Sequence, residues 1–232
     1  MNQVIARLHA RKSTRAFEPR DISEADRRAI LEAACQAPSA GNQQLYTILD
    51  IRDQAIKDRL AVSCDDQPFI ARAPMVLIFV ADVRKWYDAF AEAGATPRDP
   101  GAGDLMLAVT DAAIAAQNAV VAADSLGVGS CYIGDIMEKC EEHRALLNLP
   151  DYAFPAVMLV LGYPTPAAEA RKKPARRDLK HIVHIDRYRA MGPAELREML
   201  AGDAGQRGYD EWCRAFCQRK YNSDFAREMS RS

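Results

Sequence analysis

Residues 104–126 constrain the fold more than any other segment, because they are rich in alanine and apolar on nearly every side. A helix with no polar face belongs in the centre of a protein. Its small side chains let neighbouring elements, or a partner subunit, approach closely. The rest of the chain is therefore expected to be built around it. With 232 residues, the chain suits one elaborated domain at roughly 100–200 residues per domain.

The flanking segments alternate in kind. Residues 2–10 carry Val4, Ile5 and Leu8 on one face and read as a short helix. Ser23, with Asp26 three residues on, caps a helix over 23–36 whose stripe is Ile30, Leu31, Ala34 and Cys35, and Pro38 ends it. Residues 46–51 read as a strand, 54–63 as a helix, 75–80 and 155–161 as strands buried on both faces, and 138–147 as a helix. Residues 95–104, with two prolines and two glycines, read as an exposed loop. Beyond Tyr188 the chain is a string of helical pieces separated by Pro193, Gly202, Gly205 and Gly208. Strands separated by unequal helical insertions fit a layered α+β domain better than a regular doubly wound one.

Charge and composition exclude several classes. With 31 basic and 32 acidic residues the net charge is −1, so no global field favours nucleic acid or an anionic membrane. Residues 1–12 hold Arg7, Arg11 and Lys12 but no apolar run of the secretory kind. The stretches 73–81 and 154–162 are far shorter than the ~20 residues of a membrane helix. Six scattered cysteines in a chain of this size read as reduced thiols in the cytoplasm.

Four segments carry candidate chemistry. Arg11, Lys12, Ser13, Thr14 and Arg15 place two guanidiniums, an ammonium and two hydroxyls within five residues, which suits a phosphate or equally a solvated basic turn. Pro38, Ser39, Asn42, Gln43 and Gln44 read as a turn whose amides can also meet a heterocycle. In residues 127–134 (GVGSCYIG) Tyr132 occupies the third glycine position of a dinucleotide fingerprint and the segment follows a helix, so that motif is excluded. What remains is close backbone approach to a flat ligand through Ile133 and Gly134. Residues 171–177 form a basic run that is either a solvated loop or the completion of a phosphate site.

Together these segments resemble the nitroreductase family. The resemblance is carried by R-K-S-T-R-x-F at 11–17, P-S-x-x-N-x-Q at 38–44, the strand after Ala73-Pro74, L-G-V-G-S-C-Y-I-G at 126–134, and L-G-Y-P at 161–164 followed by R-R-D-L at 176–179. It implies a three-layer α+β fold with a central mixed sheet flanked by helices, assembled as an intertwined homodimer. By that resemblance residues 1–190 are an FMN-binding domain and 191–232 a helical extension packing on the dimer. Arg11 and Ser13 would hold the FMN phosphate with Arg176 and Arg177, Lys12 would belong to the same cofactor site, and Arg15 would sit at the N1/O2 edge of the ring. Pro38, Ser39 and Asn42 would come from the other subunit. Gln67 would reach the ribityl or pyrimidine side, and Tyr132, Ile133 and Gly134 would pass near N5.

The implied activity is hydride transfer from NADH or NADPH through flavin N5 to a nitroaromatic, quinone or similar electron-poor acceptor, by a ping-pong route. A flavin does the hard chemistry itself, and a fixed cation such as Arg15 stabilises charge at N1/O2. No catalytic side chain and no metal are needed. Dehalogenation, flavin breakdown, or a non-catalytic flavin carrier or sensor are the alternatives. Cys140/His143 and Cys213/Cys217 lack zinc-site spacing and read as structural. Cys131 reads as a small packed residue beside the flavin, His181 and His184 as surface or packing residues. Trp86, Tyr87 and Phe90 read as core, with a lid over the substrate as the alternative.

Overall fold

The computed structural model describes residues 2–231 and comprises two compact units, one ending at Lys173 and the other formed by Pro174–Arg231. The first contains, in chain order, α1 (Gln3–Ala10), α2 (Glu24–Cys35), β1 (Tyr46–Ile51), α3 (Gln54–Ser63), α4 (Pro68–Arg72), β2 (Met75–Asp82), α5 (Arg84–Glu92), α6 (Ala102–Ser125), β3 (Gly129–Ile133), α7 (Cys140–Leu146), β4 (Ala153–Gly162) and α8 (Pro166–Ala170). The second carries α9 (Pro193–Ala204), α10 (Tyr209–Lys220) and α11 (Asp224–Arg231), the helical pieces expected of the tail.

The strands form one sheet in the order β1-β2-β4-β3. β2 and β3 run the same way, but β4 inserts between them, so every neighbouring pair is antiparallel. The expected mixed sheet is corrected to that extent. Among the described residues the one parallel pairing is the isolated bridge between Ser13 and Ser130, on the free edge of β3.

Alternate residues of β2 serve opposite faces. Met75, Leu77 and Phe79 pack with Ile30 of α2 and the alanines of α6, while Val76, Ile78 and Val80 pack with Leu60 of α3 and Ile70 of α4. Each such side chain, fully buried, contributes about 1.5–3 kcal/mol. The result is three layers with a core on each side of the sheet.

The long alanine-rich helix is α6. Ala108, Ala112, Ala115, Ala119 and Ala123 recur at one-turn spacing on its buried face, which is why it can lie so close to α2 and the sheet. By length and composition α6 could cross a membrane, more readily than the short stretches weighed from sequence. Its alanine face is instead taken up by the sheet. Burial on every side is not found within one chain: Met106 is 71% exposed, and Leu105, Leu107 and Val121 are also exposed.

β3, α4 and α8 were not expected from sequence, and α5 only from the helical spacing of Trp86, Tyr87 and Phe90. In β3 the residues Gly-Ser-Cys-Tyr-Ile show no apolar period, and pairing with β4 makes the strand. Gly129 and Gly162 face each other in that pairing. A Cβ on Gly129 would lie 2.5 Å from Thr14 Oγ1 and 2.8 Å from Thr14 Cβ. One on Gly162 would lie 2.7 Å from both Phe17 Cδ1 and Pro74 Cδ. The two missing side chains thus make room for residues 13–17 to run along the sheet, fixed by Thr14 N donating to Ser130 O at 2.9 Å and Glu18 N to Tyr163 O at 2.8 Å.

Gly129→Ala is therefore expected to cost about 1–3 kcal/mol, as overpacking does, in urea unfolding of the purified protein. Adding Thr14→Gly should recover part of the loss. An unchanged midpoint for Gly129→Ala would show that the approach at Thr14 is not as tight as described.

Candidate functional site

The bridge to β3 brings the basic segment and residues 130–132 together. Arg11 Nη2 lies 3.5 Å from Ser130 Oγ, and the guanidinium carbon sits 5.5 Å from the centre of the Tyr132 ring. Arg11 Nε is buried with no hydrogen-bond partner among the described residues. Arg15 lies 6.0 Å from the Phe69 ring centre. Between them Cys131 is fully buried; burial pushes its thiol up, with Arg15, Ser13 and Arg11 opposing. It is a packed thiol at neutral pH. Two guanidiniums, the hydroxyls of Ser13 and Ser130, and one unsatisfied N–H make a donor set suited to a phosphate.

Lys12 does not join this set. Its Nζ donates to the carbonyls of Glu169 and Arg171, while Lys173 Nζ donates to Leu8 O and His9 O at 3.2 and 2.6 Å. The two lysines lash the end of α1 to the chain after α8.

On the far side of Tyr132, Gln67 Nε2 donates to Cys64 O at 2.8 Å and to Asp135 Oδ2 at 2.9 Å. Gln67 therefore stands beside the 3-10 turn Gly134–Met137 that follows the buried Ile133. His143 ties the same turn down from below. Its Nδ1 donates to Ile136 O at 2.7 Å, which leaves Nε2 to accept from Ser63 Oγ at 2.8 Å. Both ring nitrogens are engaged by protein, which gives His143 a structural role. Burial holds its imidazole below the ordinary pKa, and burial first, then Asp135, pushes the neighbouring Cys64 thiol up to about 12.

The 38–44 segment forms a tight loop around the 3-10 turn Ala40–Asn42. Gly41, Asn42 and Gln44 all have positive φ, at 55°, 56° and 45°. Ser39 Oγ accepts from Gln44 N at 3.0 Å, and Gln44 Nε2 donates to Asn42 O and Oδ1 at 2.6 and 2.7 Å. Asp111 of α6 accepts from Ala40 N on one oxygen and from Leu45 N on the other, each at 3.2 Å. Sequence reading passed over Asp111, an acid on the buried, otherwise Ala/Val face of α6.

Of Trp86, Tyr87 and Phe90 none is fully buried; Trp86 packs against the core from its edge, and Phe90 is exposed. With Gln43, Leu45 and Leu107 they line a cleft of about 500 Å³, within the range of small-molecule sites. Trp86 Nε1 donates to Gln43 O at 2.7 Å and so fastens α5 to the 38–44 loop. Across the mouth, Asp99 lies 3.5 Å from Tyr87 Oη and 3.4 Å from Tyr152 Oη.

The remaining candidates belong to the second unit. There Arg177 Nη1 donates to Met199 O at 3.0 Å and its Nη2 pairs with Asp203, while Arg176 is exposed. His181 is buried, 4.0 Å from Glu198. Cys213 and Cys217 lie one turn apart on α10, beside the stacked Trp212–Phe216 pair.

Comparison with known proteins bears on this arrangement. The chain matches the family described as the nitroreductase family over residues 8–163. It is 30% identical over 234 residues to a Bacillus subtilis (strain 168) protein named FMN reductase (NAD(P)H), covering 100% of this chain and 90% of that one. It is 31% identical over 193 residues to an NADPH-dependent oxidoreductase of Staphylococcus epidermidis, covering 82% and 76%. Among solved structures, NfrA2 of B. megaterium superposes with a TM-score of 0.84 at 29% identity, over 100% of this chain and 96% of that one.

His143 sets a pH dependence of stability. The unfolded chain takes up this proton near pH 6.5, whereas burial makes the folded chain resist it. Below that pH the unfolded state binds more protons, so stability is full above about 6.5 and falls as pH drops, by up to about 1.4 kcal/mol per pH unit. Unfolding midpoints between pH 7.5 and 5.5 should fall less steeply in His143→Gln than in the parent. Equal slopes would remove His143 as the cause.

Proposed function

The chain belongs to the nitroreductase family, and on that premise we propose that it is an FMN-dependent oxidoreductase acting as a homodimer. FMN, when bound, would supply hydride transfer between NADH or NADPH and an electron-poor small molecule such as a nitroaromatic or quinone. The observation that carries the reading is the gathering of Arg11, Ser13, Arg15 and Ser130 at the β3 edge, with Arg11 Nε buried and lacking a partner. The names of the relatives support the same cofactor and the same reductants.

Each group has a task. Arg11 and Ser13 hold the phosphate. Arg15 gives a permanent cation to the pyrimidine edge, and Gln67, held by Asp135, offers its amide oxygen on the same side. Tyr132, Ile133 and Gly134 wall the ring, and Pro38, Ser39 and Asn42 cover it from a second copy. The acceptor is received in the cleft of Trp86, Tyr87 and Phe90.

Exposed apolar surface supports the dimer. α1 buries none of its residues, leaving Val4 58% exposed with Ile5 and Leu8 beside it, and α6 leaves Met106, Leu107 and Val121 uncovered. In the second unit Ile182, Val183, Ile185 and Tyr188 are exposed as well. All six cysteines are free, in keeping with a reducing cytoplasm.

Purified protein is expected to carry a flavin absorption spectrum and to oxidise NADH or NADPH when a quinone is present. Arg11→Ala should weaken FMN by about 10–100-fold, the effect of one lost charge-assisted hydrogen bond. It should leave riboflavin, which lacks the phosphate, nearly unaffected. Equal losses for the two flavins would move Arg11 away from the phosphate. A flavin-loaded protein that no nicotinamide nucleotide reduces would be a carrier or sensor instead.

A further inference from the structure

Asp111 is 2% exposed in the third turn of α6, surrounded by alanine. That is beyond the first turn, where the helix dipole helps an acid. Its partners are two backbone N–H groups, not a cation. Burying a carboxylate costs free energy unless its oxygens are well bonded, so its place here calls for a compensating role.

The two bonds have a specific geometry. One oxygen holds Ala40 N and the other Leu45 N, so a single side chain closes both ends of the loop. Between those ends lie Gly41, Asn42 and Gln44 in the left-handed region. Asn42 and Gln44 carry a Cβ, which L residues rarely place there. Such backbone persists only where its surroundings over-determine it. The Asn42 carbonyl and Oδ1 are taken by Gln44 Nε2, which leaves the Asn42 Nδ2 to donate outward from an exposed position.

We propose that Asp111 is a positioning residue for the flavin: it pins both ends of the 40–45 loop and so presents Asn42 and the neighbouring Ser39 to the ring. This rests on the FMN reading above. The same clamp fixes Gln43, whose carbonyl receives the Trp86 indole N–H, so the loop and the α5 cleft are set by one carboxylate.

Trp86 and Trp212 are the two tryptophans of the chain, so Trp212→Phe leaves Trp86 as a reporter of the loop that needs no flavin. In that background Asp111→Ala and the near-isosteric Asp111→Asn are compared with the parent. Each is studied at temperatures where urea unfolding shows the variant fully folded. Asp111→Ala should red-shift Trp86 emission in the flavin-free protein and raise the FMN dissociation constant at least about tenfold, as loss of bonds to buried amides implies. Asp111→Asn keeps one acceptor and should fall between, guarding against a variant that does not fold.

Unmoved emission in both variants would overturn the clamp. A shifted emission with FMN affinity within about twofold of the parent would overturn the positioning role, since a purely structural acid predicts that pattern. If the parent itself takes up no FMN while the emission still shifts, the flavin reading has failed. Asp111 then remains only a loop clamp.

Discussion

The close approach of residues 13–17 to the edge of the sheet is the contact on which the rest depends. It exists because Gly129 and Gly162, opposite each other across β3 and β4, carry no side chains where Thr14, Phe17 and Pro74 lie. Seated there, the segment places Arg11, Ser13 and Arg15 beside Ser130, Cys131 and Tyr132. Without it Arg11 and Arg15 would be scattered surface cations, worth little individually in water. A backbone accommodation of two hydrogen atoms thus converts a basic turn into a site.

The second constraint is α6, which serves both halves of the proposed site. Tyr132 Oη donates to Gln117 Oε1 at 3.1 Å, and the 38–44 loop hangs from Asp111. Six residues separate these anchors, so they lie about 9 Å apart along the helix and about 120° apart around it. Within one chain the basic segment and the loop therefore address different sides of α6. In the proposed dimer a second copy would bring its own loop to the flavin, and Met106, Leu107 and Val121 are left exposed on α6.

Much of this was legible in the sequence, for identifiable reasons. Period and the Ser23 cap placed α2, and continuous apolar runs placed β2 and β4. The basic segment and residues 130–132 were recognisable as chemistry, but their meeting was not: it depends on a single parallel bridge between residues 117 positions apart, Ser13 and Ser130. Lys12 looked equivalent to its neighbours, and only the fold turns its ammonium toward the carbonyls of Glu169 and Arg171 at the end of α8. Trp86, Tyr87 and Phe90 have the spacing of a core helix, yet α5 lies where the sheet ends and its aromatics line a cleft instead. The Asp111 clamp was hidden because its partners are main-chain amides, which leave no mark in sequence.

The central claim is that one flavin is held by the basic segment of one copy and the Pro38–Gln44 loop of another. It is tested most directly by mixing two damaged chains, one Arg11→Ala and one Asn42→Trp, after subunit exchange followed by native mass spectrometry. Half of the dimers are then mixed, and each contains one undamaged pairing, so about a quarter of all sites should bind FMN with parental affinity. Recovery no greater than that of the two damaged chains alone would mean that both halves of the site come from the same chain.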